Sequence, residues 1–438
     1  MSRLIDNPMQ PATVVSGVGG APPAGIDAVV AAGRRRRVRR LATVIASHPV
    51  VDCYAGFVTP LIGVLMVRCE LTGVEEASLI GIGSLASGIS QPFFAWLADR
   101  LDTRIFAPLG LAAGAACLSC IGLATNYISL IVLFVIGMVG VGAYHPIAAA
   151  SAGQLAGRRR TVGITLFFTC GMLGATLGPL LSTRLTALDH GFTYLQFCMV
   201  PGLLMALLLY LMIRRVPHGH RRHEVDFTTL NHLRLRWFMV MLIFIGNAMR
   251  YSVNMALAYL YVQWAEALTA ERLVGAATEE IAQQASTIAG TMTASTMFGM
   301  GFGGLLAGTL ARRQHERALF VLVPILFAPA ICGFTIADPS TGWIFAMLAG
   351  VGFAAIIPVS VSAAQRLLPH RSSVASSLAM GGAWSVAALA PFLAMMSLER
   401  FGLGTTFLLT AGVLALSGLI SLPLRTSGFV DAAPVSHP

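Results

Sequence analysis

Lysine is absent from this chain of 438 residues, and charged residues of all kinds make up only 11% of it. Hydrophobic residues reach 56% and the mean hydropathy is +0.76, values outside the range of soluble globular domains. The formal net charge of +10 comes from arginines that lie between apolar runs, not on a basic soluble module. Composition therefore indicates a membrane protein and gives no reason to expect a nucleic-acid partner.

The sequence also lacks the motifs of an enzyme or a cofactor-binding protein. No phosphate-binding loop, metal-ligand spacing or nucleophile and base pattern is found. The seven cysteines lie almost wholly in apolar runs, so no disulfide framework is predicted, and the CxxC at Cys117 and Cys120 favours small-residue packing. We predict no enzyme activity, no metal and no cofactor, which leaves a gradient, with protons the expected ion, as the driving force.

Twelve apolar runs, most of them near the roughly 20 residues that a helix needs to cross a bilayer, divide the chain. They predict an all-α polytopic membrane protein. The runs cover residues 42–66, 77–98, 105–124, 127–156, 161–184, 192–213, 237–264, 284–310, 316–337, 341–367, 373–397 and 403–424.

The arginines concentrate in alternate connections between these runs, whereas the longest of the other connections, 265–283, carries four glutamates. By the positive-inside rule the arginine-rich connections and both termini are cytoplasmic. An even number of spans requires the same placement of the termini. We therefore expect a multi-pass plasma-membrane protein of the bacterial inner-membrane type.

A shift of about 212 residues aligns the chain with itself: Pro146 falls on Pro358, and "GPLL" at 178 falls on "APFL" at 390. The repeat predicts two related six-helix bundles, an architecture typical of secondary transporters with alternating access. The predicted units are a disordered tail (1–40) that is not a signal peptide, a first bundle (41–213), a histidine-containing linker (214–236), a second bundle (237–425) and a final tail (426–438).

The segment "QPFFAWLADRLDTR", 91–104, resembles the loop signature between the second and third helices of the major facilitator superfamily. Asp99, Arg100 and Arg104 match that signature, while Ala95 and Asp102 stand where it has glycine. The resemblance implies a gate on the cytoplasmic side, in which the charges form a latch between the bundles. The alternative is topological: the arginines only hold the loop inside.

The segment "GATLGPLL", 174–181, resembles the fifth-helix signature of drug/proton antiporters in that superfamily. Gly174 and Gly178 share one helix face and permit a close helix neighbour, and Pro179 bends the helix. Plain helix packing is the alternative. Leu180 and Leu181 replace the small residues usual after the proline.

A further resemblance, to the fosmidomycin-resistance type of exporter, extends over nearly all the spans. The segments that carry it are "SHPVVDCYAGFVTPL", "SQPFFAWLADR", "GVGAYHPIAAASA", "GRRRTVGITLFF", Arg250 and "IPVSVSAAQRLLP". It implies export of a small compound.

His48 and Asp52 lie four residues apart in the first run, on one side of a helix. An aspartate about 15 Å into the span costs roughly 2.5 to 3.5 kcal/mol on insertion scales, so it is expected to face a polar cavity. His145 has no counterpart in the second half, where Ile357 takes its place, and Arg250 adds a charge to the seventh helix. We predict that Asp52 with His48 or His145 carries the coupling proton and that Arg250 pairs with the acid or with an anionic substrate. The alternative is a fixed Asp52–Arg250 pair.

Four more residues are candidates for the cavity wall, although aromatic residues at helical spacing are more often packing: Tyr54, Asn247, Tyr251 and Asn254. The predicted function is proton-coupled export of a small organic compound by a monomer in the lipid bilayer. An importer of a small organic anion, and a non-transporting receptor or scaffold on the same fold, are the alternatives.

Overall fold

The computed structural model describes residues 24–101, 103–157, 160–214, 233–310, 312–368, 374–375 and 378–426. Regular structure in this part of the chain is entirely helical, as predicted. A short π-helix, Leu378–Gly382, precedes the last two α-helices. The α-helices in chain order are α1 (Ala24–Ala55), α2 (Ile62–Cys69), α3 (Gly73–Arg100), α4 (Phe106–Ser119), α5 (Tyr127–Ala156), α6 (Arg160–Thr186), α7 (Gly191–Phe197), α8 (Met199–Ile213), α9 (Leu233–Arg272), α10 (Thr278–Leu310), α11 (Glu316–Cys332), α12 (Gly342–Ala354), α13 (Ile357–Leu367), α14 (Ala383–Ala387) and α15 (Ala390–Ile420).

Among the described residues, each of the twelve predicted spans falls mainly on helix. In the part of the chain that the structure describes, eight helical stretches are long and apolar enough by themselves to cross a membrane. One of them, Leu378–Ile420, holds two predicted spans. The other three predicted spans are α3 and α10, which carry more polar residues, and α4, which is only 14 residues long. The prediction of an all-α polytopic membrane protein is confirmed.

Local sequence signals set several helix boundaries. A capping box starts α3, where the Thr72 side chain accepts from the Glu75 backbone and Glu75 accepts from the Thr72 backbone. Asn126 and Ser129 start α5 in the same way. Gly402, with φ of 79°, breaks α15 between the last two predicted spans, because only glycine adopts this conformation without strain.

The predicted disordered tail is partly wrong. Helix α1 begins at Ala24, so 24–40 continues directly into the first span. Alanine and arginine, which are frequent in this stretch, are both strong helix formers, and the apolar span that follows removes the cost of starting a new helix. Residues 1–23, the linker from 215 to 232 and residues 427–438 lie outside the described part.

The helices form two bundles, α1–α8 and α9–α15. In the first bundle α1 packs against α6, and α5 packs against both α3 and α4. In the second bundle α9 packs against α15, and α10 packs against α12. The bundles meet where α6 contacts α10 and where α3 contacts α14 and α15.

One polar contact occurs at equivalent positions of the two bundles, with the donor and the acceptor exchanged. Arg104 at the start of α4 donates to the side-chain oxygen of Gln154 on α5. A shift of 212 residues carries these positions to Glu316 and Arg366, and there Arg366 donates to both Glu316 oxygens at 2.5 and 2.7 Å. The donor and the acceptor have changed places, while the junction between the two helices is retained. This contact supports the internal repeat that the sequence predicts.

We name the two ends of the bundles by their residues. The arginine-rich face contains the α3–α4 and α10–α11 connections, and the opposite face contains the α2–α3 and α9–α10 connections. In the described part of the chain, the side-chain hydrogen bonds between bundles lie in the half nearer the opposite face. Gln263 donates to both carboxylate oxygens of Glu76 at 3.0 and 3.1 Å, and Ser84 donates to the Met255 sulfur. These contacts join α3 to α9 in that half of the molecule.

Candidate functional site

Two histidines contact one aspartate inside the first bundle. Asp52 Oδ1 lies 3.0 Å from His145 Nε2, and Asp52 Oδ2 lies 3.2 Å from His48 Nε2. His48 and Asp52 are one turn apart on α1, while His145 reaches them from α5. We call His48, Asp52 and His145 the His–Asp–His triad.

Backbone carbonyl groups fix the orientation of both imidazoles. His48 Nδ1 lies 2.7 Å from the Phe167 carbonyl oxygen, and His145 Nδ1 lies 2.7 Å from the Val141 carbonyl oxygen. Because a carbonyl oxygen only accepts hydrogen bonds, each Nδ1 carries the hydrogen and donates it. The His48 ring also stacks on the Phe167 ring, with centroids 3.8 Å apart. Each histidine therefore presents Nε2 to Asp52.

The triad lies in the interior wall of the bundle. The side chain of His48 is 2% exposed, that of Asp52 15% and that of His145 22%. Asp52 is therefore directed toward α5 and α6 and away from lipid. His145 is the member most accessible from outside the bundle.

Three glycines on α6 bring this helix against α1. A Cβ atom built on Gly171 would lie 2.5 Å from His48 Cε1 and 2.6 Å from Asp52 Oδ2. Cβ atoms on Gly174 and Gly178 would collide with the carbonyl oxygens of Pro49 and Cys53. The sequence signature contains the last two glycines but not Gly171, although the spacing of Gly171 from Gly174 and Gly178 places it near the same face.

Pro179 also lies at the contact between α1 and α6. A Cβ atom on Gly56, just after α1, would be 2.8 Å from the Pro179 ring. The carbonyl oxygen of Pro179 accepts a hydrogen bond from the Thr183 hydroxyl at 2.9 Å. The glycines and Pro179 thus form one tight packing surface that supports the triad.

Arg250 lies in the second bundle, completely buried, and makes no ion pair with Asp52. Its guanidinium donates at 3.1 to 3.2 Å to neutral acceptors of its own bundle. These acceptors are Asn247 Oδ1, Phe320 O, Ser417 O and Ser421 Oγ. The predicted Asp52–Arg250 pair is not formed in this structure, because the planar guanidinium is already shared among α9, α11 and α15. Arg250 joins these three helices.

The residues predicted to line the cavity are buried in this structure, none of them more than 5% exposed. The Tyr54 hydroxyl donates to the Cys198 carbonyl at 2.5 Å, inside the first bundle. The Tyr251 ring packs edge-on against Trp384, with centroids 4.6 Å apart. Both tyrosines therefore serve helix packing in this conformation.

The two predicted asparagines differ from each other. Asn247 donates to Ser360 Oγ and to the Ala379 carbonyl, both at 2.8 Å, so it joins α9 to α13 and to the π-helix. Asn254, two turns further along α9, is 3% exposed, and its Nδ2 has no hydrogen-bond partner among the described residues. Neither side chain lines an open cavity here.

The residues of the predicted gate lie at the arginine-rich face. Arg104 is buried and donates to Ser151 and Gln154 on α5, and the Arg100 guanidinium lies 5.3 Å from the Trp96 ring centroid. The side chain of Asp99 is outside the described part. These contacts hold the α3–α4 connection within its own bundle, and the latch between bundles stays a prediction.

The chain is similar to one family pattern and to two curated proteins. The sequence pattern of the Major Facilitator Superfamily matches residues 55–270. The fosmidomycin resistance protein of Escherichia coli (strain K12) is 24% identical over 186 residues, which is 42% of this chain and 45% of that protein. An uncharacterized MFS-type transporter of Bacillus subtilis (strain 168) is 22% identical over 165 residues, 37% of this chain and 40% of that protein. The chain thus spans less than half the length of these curated relatives.

The fold is similar to that of solved transporters over nearly the whole chain. A bacterial homolog of the human lysosomal transporter Spinster, in an inward-facing and occupied conformation, superposes with a TM-score of 0.65. The two share 15% identity, and the superposition covers 89% of this chain and 96% of the other. The family pattern covers residues 55–270, about half of the chain, and the shared fold extends over nearly the whole chain, so the chain resembles the multi-pass membrane transporters of the major facilitator superfamily.

Proposed function

We propose that this secondary transporter exports a small organic compound in exchange for protons, and that the His–Asp–His triad is the coupling site. The observation that carries the proposal is the contact of Asp52 with two histidines in the bundle interior at 3.0 and 3.2 Å. Ionisable side chains inside a membrane are costly, and in transporters they mark ion and substrate pathways. No cofactor enters this proposal.

The triad joins two helices through contacts that need hydrogen atoms. Each Nδ1 donates to a carbonyl, so a second hydrogen lies in the 3.0 Å hydrogen bond between His145 Nε2 and Asp52 Oδ1. Loss of a proton leaves a lone pair against an oxygen and weakens the contact between α1 and α5. Proton release and a rearrangement of the first bundle are linked in this way.

The contacts between the bundles near the opposite face support alternating access. The bonds from Gln263 to Glu76 and from Ser84 to Met255 hold the bundles together on that side. Alternating access then places the access path at the arginine-rich face, which we assign to the cytoplasmic side of a bacterial inner membrane. The transporter would bind its compound from that side and release it at the opposite face, as a monomer.

Export is favoured by similarity to the fosmidomycin resistance protein. Import of a small organic anion is the second candidate. With a hydrogen in each contact with Asp52, the triad has a net charge of +1, and His145 is accessible at 22%. Accumulation of a labelled compound in cells separates the two directions: an exporter lowers it and an importer raises it.

Purified protein in liposomes under an imposed pH gradient tests the proposal, with a compound panel that includes a phosphonate antibiotic. We expect gradient-driven transport by the unmodified chain and by Asp189→Asn, which alters an exposed loop. Asp52→Asn is expected to lose it. Gradient-driven transport by Asp52→Asn would remove the coupling role, and the absence of transport for every compound would favour the receptor or scaffold.

A further inference from the structure

We propose that the His–Asp–His triad is a binding site for a divalent transition-metal cation of the zinc type. The donor atoms are Nε2 of His48, Nε2 of His145 and a carboxylate oxygen of Asp52, and all lie within 4.8 Å of one another. Two imidazoles and one carboxylate are a common three-ligand set for zinc, with the fourth position left to water or a bound molecule.

The hydrogen bonds around the triad are those of metal-binding histidines. A histidine ligand almost always donates its second ring nitrogen to a carbonyl or carboxylate, which fixes the ring and directs the other nitrogen to the metal. His48 and His145 both do so, toward Phe167 and Val141 at 2.7 Å. Two histidines from different helices therefore present Nε2 to the same carboxylate.

The charges also favour a divalent cation. Asp52 with two neutral imidazoles has a net charge of −1, and two protons, one in each contact with Asp52, would raise it to +1. One divalent cation supplies the same positive charge as these two protons, so either occupant leaves the triad at +1. Binding of the metal would release the protons.

The distances require only local adjustment. Ligands about 2.0 to 2.1 Å from a tetrahedral zinc ion are about 3.3 Å apart, and the two contacts with Asp52 measure 3.0 and 3.2 Å. The histidine nitrogens must approach each other, and the more exposed His145 is the side chain with room to move. Gly171 presents no side chain to the triad.

Spacing along the sequence predicts no metal site, because 93 residues separate Asp52 from His145. The inference shares residues with the proposed coupling site but does not rest on it, since metal binding is measured without a gradient or a transported compound. If the chain binds the metal but shows no proton coupling, only the proposed function is contradicted.

The test is titration of the untagged, purified full chain with Co²⁺, whose visible absorption reports imidazole and carboxylate ligation, followed by displacement with Zn²⁺. The background variant replaces the linker histidines with asparagine, because free imidazoles are general ligands of transition metals; these are His218, His220, His223 and His232. In this background we expect one Co²⁺ per chain. Loss of an outer-shell partner alone costs about 10- to 100-fold in metal affinity, so His145→Gln should weaken binding by about 100-fold or more.

His315→Gln is the matched control, because His315 is exposed at the arginine-rich face. It should bind Co²⁺ like the background chain. If His145→Gln fails to fold, as judged by size-exclusion chromatography, Asp52→Asn takes its place with the same expectation. Absence of Co²⁺ absorption in the background chain, or equal affinity in the triad variants, would overturn the metal site.

Discussion

A methyl group at Gly171 would enter the contact between His48 and Asp52. The added Cβ would lie 2.5 and 2.6 Å from these side chains, whereas ordinary contact begins at 3.4 Å, so they must shift by about 0.8 to 0.9 Å. A shift of this size away from their partners lengthens the 3.0 Å hydrogen bond between Asp52 and His145 beyond the range of a real bond and also lengthens the 3.2 Å contact between Asp52 and His48. Gly171→Ala is therefore expected to break the triad.

The same substitution should leave the protein folded. Overpacking costs about 1 to 3 kcal/mol, and the low end applies here because the displaced atoms are side-chain ends. Alanine in a helix recovers about 0.5 to 1 kcal/mol relative to glycine. The lost hydrogen bond to the Asp52 carboxylate adds about 1.5 to 3 kcal/mol. We therefore expect the free energy of unfolding to fall by about 1.5 to 3.5 kcal/mol, together with loss of gradient-driven transport in liposomes.

Two other glycines provide matched controls. A Cβ on Gly412 meets nothing within 4 Å, so Gly412→Ala should keep both stability and transport. A Cβ on Gly174 collides with the Pro49 backbone, which cannot move without separating α1 from α6, so Gly174→Ala should lower the melting temperature strongly. Normal transport by Gly171→Ala, or a loss of stability equal to that of Gly174→Ala, would refute this account of the triad.

Three further variants test contacts elsewhere. In Arg250→Lys the lysine side chain cannot reach all the acceptors of the guanidinium, and two charge-assisted hydrogen bonds are lost. Stability should fall by about 3 to 6 kcal/mol, measured by thermal shift. Unchanged stability with lost coupling would favour a direct role for Arg250. Glu316→Arg should lower the melting temperature of the protein in the same assay, because it removes the carboxylate that Arg366 contacts. Adding Arg366→Gln recreates the arginine–glutamine contact of the first bundle and should restore most of the melting temperature. Equal melting temperatures of the single and double variants would contradict the repeat. Gln263→Leu leaves the Glu76 carboxylate buried without its hydrogen-bond donor. Distances between spin labels on the two bundles at the opposite face should therefore increase. Unchanged distances would show that this hydrogen bond does not hold the bundles together.

Much of the fold follows from the sequence, because membrane insertion imposes a strong pattern. Backbone groups in a bilayer must bond internally, so each apolar run of sufficient length becomes a helix. The repeat at 212 residues is visible in Pro146 and Pro358, and the structure adds the reversed contact between positions 104 and 154 and their counterparts. The sequence did not predict the start of α1 at Ala24, because composition describes 24–40 as a separate tail. The helix of the adjacent span extends into these residues.

The site is less predictable because its contacts connect distant parts of the chain. His48 and Asp52 are recognisable as a pair on one helix, but the arrival of His145 depends on how α5 packs against α1. Arg250 illustrates the opposite error: a charge in an apolar run suggested an ion pair, whereas carbonyl groups of neighbouring helices surround it. Sequence shows which side chains are costly to bury but not which partners offset the cost.

The most direct test of the coupling role of the triad is proton release on compound binding. A transported compound is added to purified protein in weakly buffered solution that contains a pH indicator and a metal chelator. We predict that the unmodified chain and Asp189→Asn acidify the solution, whereas Asp52→Asn binds the compound without a change in pH. Equal acidification by Asp52→Asn would contradict the assignment of the coupling proton to this site.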